Sequence, residues 1–419
     1  MERKAFMMFA AFALFAIGSA EASEVYSVDD LVARIESTFA VAEGEAAAAG
    51  MSRKADAVGA LPDLGVGYEI MDPDESEMAT HKVSVQQELP LWGKRGLKRR
   101  AAAAEAKASA FMIAEAKLEI RFSLLKSLSE YHYALKIRRI RESELDALRK
   151  FVATTKVKYA TGAAALSAVT QAEIERAETE SMIVAMDAMA ELARNEAFDM
   201  VDADSAASVI GPFIPVARTA PARLEAEALY AKALAHVPSL ALAANDIELA
   251  EREKQLAGRE LFPDLMLEFS YSYQSAAEKP GSLSAGFVLN LPVFSAKGKT
   301  AEIAMAAKRG EERVAALAGA KDGLYRRIRG LLAREADYRR RIALYASDIL
   351  PLRAADLENR LAAYAVDKAE FEMVLESIRM RYDAEIALLE LNRDYATTLL
   401  ELEYLTGEKL VVFEDGRTE

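Results

Sequence analysis

The chain has 419 residues, 52% of them hydrophobic, enough to bury a large core. Cysteine is absent, which excludes disulfides, thiolate metal sites, a cysteine nucleophile and a cysteine-linked lipid anchor. The net charge of −13 argues against nucleic-acid binding, and His81, His132 and His236 are too scattered to pair as metal ligands. A metal-dependent enzyme therefore has no support. No catalytic constellation or nucleotide-binding loop stands out, and no cofactor is expected.

The N-terminus reads as an export signal over residues 1–22. Arg3 and Lys4 precede the apolar run Ala5 to Ile17, and Ala20-Glu21-Ala22 fits a small-x-small cleavage site. That run is too short to span a bilayer as a helix, which needs about 20 residues. The next long stretch is nearly free of helix breakers: no proline occurs from Leu91 to Gly211, and Gly162 is the only glycine from Leu97 to Ile210. This predicts two long helices broken near Tyr159-Ala160-Thr161-Gly162. Leu118, Phe122, Leu125, Leu128, Tyr131 and Leu135 recur at three and four, as a helical stripe does. A helix from about Lys94 to Lys158 implies a rod. The C-terminal half repeats the pattern, with a helix from about Lys297 to Tyr364, kinked at Pro351, and another from about Lys368 to Leu405.

The halves look like a duplication. Leu61-Pro62-Asp63-Leu64 matches Phe262-Pro263-Asp264-Leu265, and Glu88-Leu89-Pro90-Leu91-Trp92 matches Asn290-Leu291-Pro292-Val293-Phe294. Tyr159-Ala160 matches Tyr364-Ala365. The expected division is a first repeat over 23–200 with a β-hairpin at about 63–90 and a helical hairpin at about 94–200. A linker over 201–221 follows. The second repeat covers 222–405, with a β-hairpin at about 264–292 and a helical hairpin at about 297–405, and 406–419 is a tail.

Between the prolines of each half lie two stretches of period-two alternation. Leu64, Val66, Tyr68 and Ile70 share one face of the first, and Val83, Val85 and Leu89 one face of the second. Leu265, Leu267, Phe269, Tyr271 and Tyr273 do so in the third, and Leu283, Ala285, Phe287, Leu289 and Leu291 in the fourth. The opposite faces carry Gly, Ser, Gln, Glu69, Lys82, Glu88 and Glu268, with Gln87 and Val288 as exceptions. Apolar-out, polar-in alternation over seven to eleven residues suits the wall of a water-filled membrane barrel, with Tyr271 and Tyr273 at an aromatic girdle. A soluble half-buried sheet on a periplasmic coiled-coil protein is the competing reading. Four strands cannot close a barrel, and open edges in lipid are forbidden, so the membrane reading requires several copies. The strands leave two or three copies open.

Lys94, Arg95, Lys98, Arg99 and Arg100 follow the first hairpin, Arg53 and Lys54 precede it, and Lys297 and Lys299 follow the second. They are expected near lipid headgroups or on a solvated helix face. Asp72, Asp74, Glu75 and Glu77 make the loop of the first hairpin acidic. Trp92 is expected as an interfacial anchor or as packing at the strand-to-helix exit.

The duplicated proline-flanked hairpins, the run Gln86-Gln87-Glu88-Leu89-Pro90-Leu91-Trp92-Gly93-Lys94-Arg95 and the two Tyr-containing breaks resemble TolC-type outer-membrane efflux proteins. The Gln-x-x-Leu-Pro-x-x-Gly-Lys-Arg pattern is most similar to the outer-membrane components of heavy-metal resistance-nodulation-division pumps. The resemblance implies a mainly α fold with a small β part. Long helical hairpins would form a periplasmic tunnel, and four strands per chain would contribute to a twelve-stranded outer-membrane barrel in a homotrimer. It implies a passive, non-enzymatic exit duct that partners a periplasmic membrane-fusion adaptor and an inner-membrane pump. Drug, metal-ion and polypeptide cargo, the last through a type I secretion system, all stay open. Tyr159, Thr161, Gly162, Tyr364, Val366 and Asp367 would be adaptor-docking turns. The second turn departs from the family pattern, with Asp367-Lys368 where glycine is common. Asp367, Glu370, Glu372 and Glu376 would supply acidic gate rings; Glu372 and Glu376, one helical turn apart, would either face a lumen or pair with Lys368 or Arg379. The expected lipid-facing residues are Leu64, Val66, Tyr68, Val83, Val85, Leu267, Phe269, Tyr271, Phe287 and Leu289.

Overall fold

A computed structural model describes residues 24–71, 79–205, 208–211, 213–217, 225–274, 281–291 and 293–415. The predicted signal peptide and the acidic loop residues Asp72, Asp74, Glu75 and Glu77 lie outside the described residues. The first half contains β1 (Glu24–Tyr26), α1 (Val28–Arg34), α2 (Phe39–Ala57), β2 (Gly65–Met71), β3 (Thr80–Leu89), α3 (Lys94–Ala160) and α4 (Leu166–Asp199). Two short strands follow, β4 (Ser208–Ile210) and β5 (Phe213–Ala217). The second half contains α5 (Ala226–His236), α6 (Pro238–Arg259), β6 (Leu265–Gln274), β7 (Ser282–Leu289), α7 (Ala296–Leu344), α8 (Leu350–Ala365), α9 (Phe371–Thr406) and β8 (Val411–Asp415).

The absence of proline lets α3 run 67 residues without interruption, about 100 Å at 1.5 Å per residue. Its alanine-rich start favours helix and leaves room for close neighbours. The partner rod differs from the single kinked helix expected between Lys297 and Tyr364. A π-helical turn, Tyr345–Ile349, separates α7 from α8, and the Leu350 amide donates to the Tyr345 carbonyl, five residues back. Pro351 follows at once. Its ring crowds the carbonyl four residues back and it offers no amide, so the widened turn lies immediately before it.

In the upper tier the helices lie side by side in the order α2, α3, α6, α7; in the lower tier the order is α4, α3, α9, α8. Above them β2, β3, β6 and β7 form one antiparallel sheet in that spatial order. Two strands differ slightly from expectation. Leu64 lies just before β2, and β7 ends at Leu289 rather than Leu291.

A belt surrounds the middle of the rods. β1 pairs in parallel with β4, and β5 pairs antiparallel with β8, so the start of the chain, the inter-repeat linker and the tail meet there. Leu31, Leu124, Leu128, Phe198, Ile328 and Leu402 are fully buried in this core. Arg121 donates to Glu403 at 2.8 Å, and the other Glu403 oxygen accepts from the Leu410 and Val411 amides, fixing the tail to α3 and α9. Leu124 and Leu128 sit near the midpoint of α3, about 50 Å from each end. A second core, built by Leu148, Phe151, Val374, Leu375 and Ile378 with Tyr364, holds the far tips together.

Candidate channel wall, junction and tips

Strand register sorts the sheet into two faces. Val66, Val85, Phe269 and Ala285 align across all four strands, as do Tyr68, Val83, Tyr271 and Leu283. Leu89, Leu265 and Leu289 align at the end near the helices, and Leu267 pairs with Phe287. At the distal end His81 stacks on Tyr273 at 5.0 Å and shares a 2.6 Å hydrogen bond with the Tyr68 hydroxyl, giving that rim its aromatic character. Gln87 falls on this apolar face, but its amide donates to the Pro62 and Glu88 carbonyls. The expected lipid-facing residues therefore share one continuous surface, with Leu64 at its lower margin.

The other face aligns Gly67, Ser84, Ser270 and Ser284, with Glu69, Lys82, Ser272 and Ser282 above them. Lys82 and Glu268 pair across β3 and β6 at 3.0 Å. Small and charged residues on one face and large apolar residues on the other fit water on one side and lipid on the other. The ten residues of β6 span about 34 Å, enough for a strand tilted across a hydrocarbon layer.

The strand-to-helix exit corrects an expectation. Lys94 is not at a headgroup surface: it is 2% exposed, and its ammonium donates to the Phe262 carbonyl at 2.8 Å and to Asp264 at 2.7 Å. Asp264 also accepts from the Leu91 amide at 3.0 Å. A lone buried ammonium would be costly, so the carboxylate and carbonyl are what allow it to sit there. Trp92 packs on Phe262 with ring centroids 5.1 Å apart, and its indole donates to the Pro263 carbonyl. These contacts hold Trp92 at φ +60, next to Gly93 at φ +75, a reversal that L side chains otherwise avoid. Lys98, Arg99 and Arg100 remain exposed.

The two tips are alike in backbone though not in sequence. Gly162 has φ +79 and Asp367, at the matching position, has φ +58. The Ala163 amide returns to the Lys158 carbonyl and the Lys368 amide to the Ala363 carbonyl, the same six-residue closure in each. Aspartate thus adopts the left-handed conformation that glycine supplies in the first turn, and Lys158 pairs with its carboxylate. Tyr159, Thr161, Gly162, Val366 and Asp367 are exposed; Tyr364 is buried against Phe151 and beneath the Lys158 ammonium.

Of the four acidic candidates, Asp367 is engaged by Lys158, while Glu370, Glu372 and Glu376 are exposed on one end of α9. Arg379 pairs with Glu175 at 2.8 Å rather than with Glu372 or Glu376. Just above, α3, α4 and α9 bury two carboxylates that the sequence did not single out. Glu144 is held by Arg141 at 2.7 Å, and Arg141 also reaches Asp383 at 3.2 Å. Burial raises the carboxyl pKa of both Glu144 and Glu175, with their neighbouring arginines opposing it. The same three helices leave an open groove of about 490 Å³, to which α4 contributes Met182, Met186 and Met189. Their helical spacing was the one available sign of it. Among the described residues no group of acidic and histidine side chains is placed to hold a metal ion, and no helix is long and apolar enough to cross a membrane.

No protein-family model matches the chain, and no curated protein matches it in sequence. Solved structures do match. The outer membrane protein VceC from Vibrio cholerae superposes with a TM-score of 0.75 at 20% identity, over 90% of this chain and 95% of that one. CusC, described in terms of transmembrane channel formation, gives 0.77 at 15% identity over 91% and 92%. The CmeC outer membrane channel of Campylobacter jejuni gives 0.75 at 12% identity over 90% and 84%. The chain has the fold of these outer-membrane channels along nearly its whole described length.

Proposed function

We propose that this chain is the protomer of an outer-membrane exit duct that conducts substrates passively out of the periplasm and is energised by a separate pump. The observation that carries this reading is the sheet. Its apolar face is exposed, its opposite face is small and charged, and among the described strands nothing pairs with its outer edges, β2 and β7. Such edges are untenable in lipid until another chain pairs with them. Three copies give a twelve-stranded barrel with a lumen, continued below by the long helices. The helical tiers are open on the same two sides. Val184 of α4 is exposed at one end of the lower tier and Leu352 of α8 at the other, so the neighbours that pair the sheet edges would cover this tier as well. The likeness to known outer-membrane channels supports the same reading.

On this reading the tips meet a periplasmic adaptor through the turns at Gly162 and Asp367. Glu372 and Glu376, repeated by each copy, line the narrow end with negative charge that favours cations. The test is reconstitution of the full chain from outer-membrane extracts into planar bilayers. Discrete conductance is expected, with reduced cation preference in the Glu372→Gln, Glu376→Gln variant. Recovery of the protein in the soluble periplasmic fraction, without detergent, overturns the duct. Unchanged selectivity in the double variant overturns the acidic gate alone.

A further inference from the structure

Within the chain the two repeats meet along one seam, through β3 with β6 and α3 with α6 and α9, and its sheet end shows how one chain meets the next. β3 pairs with β6, and directly below, Trp92 sits on Phe262 and Pro263 while Lys94 holds Asp264. The duplication supplies the other half of a second such contact, left unmade. Phe294 matches Trp92 and is fully exposed; Leu61-Pro62-Asp63 matches Phe262-Pro263-Asp264 and is largely exposed. The two hairpins also share one register. Gly65 faces Gln86 in the first and Met266 faces Val288 in the second, at equivalent positions of the repeat.

We infer that, in the ring described under Proposed function on which this inference rests, β7 of one copy pairs with β2 of the next in the register of β3 with β6. Phe294 then takes, on the neighbour's Leu61-Pro62-Asp63 turn, the seat that Trp92 takes on Phe262-Pro263-Asp264. Carrying the Gln87–Leu267 pair through the repeat places Leu289 opposite Val66 of the next copy. Phe287 then falls opposite Tyr68, and the apolar band continues across the seam without a break. A slip by one residue would put this face against the polar one. The seams differ in two respects: Phe294 has no N–H to match the bond from the Trp92 indole to the Pro263 carbonyl, and the lysine is missing. Ala296 stands where Lys94 stands, so the neighbour's Asp63 receives no buried ammonium from that position. The contact between copies is the internal contact without its lysine and its indole hydrogen bond.

The chain has no cysteine, so introduced pairs can be read without background. Val66→Cys with Leu289→Cys, in the full chain oxidised in outer-membrane extracts, is expected to give thiol-reversible multimers up to the closed ring. These positions lie on opposite edges of one four-stranded sheet, about 14 Å apart across the strands and four residues offset along them, so no bond forms within a chain. Gln87→Cys with Leu267→Cys, the internal equivalent, is expected to close within one chain under the same conditions. Tyr68→Cys with Leu289→Cys, displaced by two residues, is expected to stay open. Cross-linking of the displaced pair instead of the aligned one, or of neither in a protein that light scattering shows to be a ring, overturns the register. A monomer by light scattering overturns the ring reading itself. For the aromatic seat, Phe294→Ala is expected to lower the temperature at which the ring dissociates, with recovery in Phe294→Trp, and Ala296→Lys to raise it. Rings of Phe294→Ala as heat-stable as the parent overturn the seat.

Discussion

Leu31, Leu124, Phe198 and Leu402 at the belt are buried entirely by their own chain, whereas every residue of β7 is exposed on both faces. The belt brings the start, middle and end of the chain together around the rods, so its core is complete in one copy. The sheet has the alternation, length and register of a wall, but its apolar face is exposed and no described strand pairs with its edges. One polypeptide thus contains a region that folds to completion and another finished only by its surroundings. Stability of the first is intramolecular; on the proposed duct, that of the second would depend on assembly and membrane.

The largest expected effect on membrane insertion tests the sheet. Phe269→Arg, near the middle of the apolar band, is expected to cost about 2–4 kcal/mol per copy in membrane insertion. The helical circular dichroism of the detergent-solubilised chain should be unchanged; a collapse of that signal would break the proposed independence. Phe198→Ala addresses the belt. A fully buried phenylalanine there is expected to cost about 3–5 kcal/mol in denaturant unfolding of the helical signal. Indifference to that change would show that the belt is not the autonomous core. Lys94→Ala lies between the two regions, where the sheet is joined to the rods. Leaving Asp264 without its cation is expected to cost about 3 kcal/mol, the lower end for a broken buried pair, because Asp264 keeps some exposure.

A smaller effect sharpens the contrast within the helices. Glu144 and Glu175 have folded pKa values raised above their unfolded ones, so both favour the protonated form in the folded state. Their contribution to stability is fully present below the unfolded carboxylate range and is lost as pH rises through the folded values. Mild acidification is therefore expected to stabilise the lower bundle through these two groups, and Glu144→Gln with Glu175→Gln to flatten that dependence. Thermal melts of parent and double variant across mildly acidic pH check it; an undiminished slope in the variant would assign the effect elsewhere. The smallest change expected is Asp367→Gly at the tip, within about 1 kcal/mol in thermal melting. Relief of left-handed strain there is offset by loss of the exposed pair with Lys158.

Much of this architecture was legible in the sequence because its signals are local. The stretch free of proline gives α3 and α4, period-two alternation gives the sheet and its faces, and the matched prolines give the repeat. Features that depend on distant contacts were not. Nothing near Lys94 in sequence indicates burial, because its partners belong to the other repeat, around Phe262 and Asp264. Asp367 reads as a departure from glycine until the closure from Lys368 to Ala363 shows that the backbone is the same. The π-turn before Pro351 reads as a simple kink, since periodicity cannot separate a bend from a widened turn. Glu144 and Glu175 sit in polar helical sequence and become distinctive only where three helices meet.

In the proposed ring, a half-length chain with one β-hairpin and one helical pair would need six copies and six identical seams. Any substitution in it would alter all six at once. In the duplicated chain the proposed seams would be of two kinds, with lysine at position 94 in one and alanine at position 296 in the other. The seam inside the chain carries the buried cation and forms at any protein concentration. The proposed seam between chains would lack it and would be the one that mass action governs.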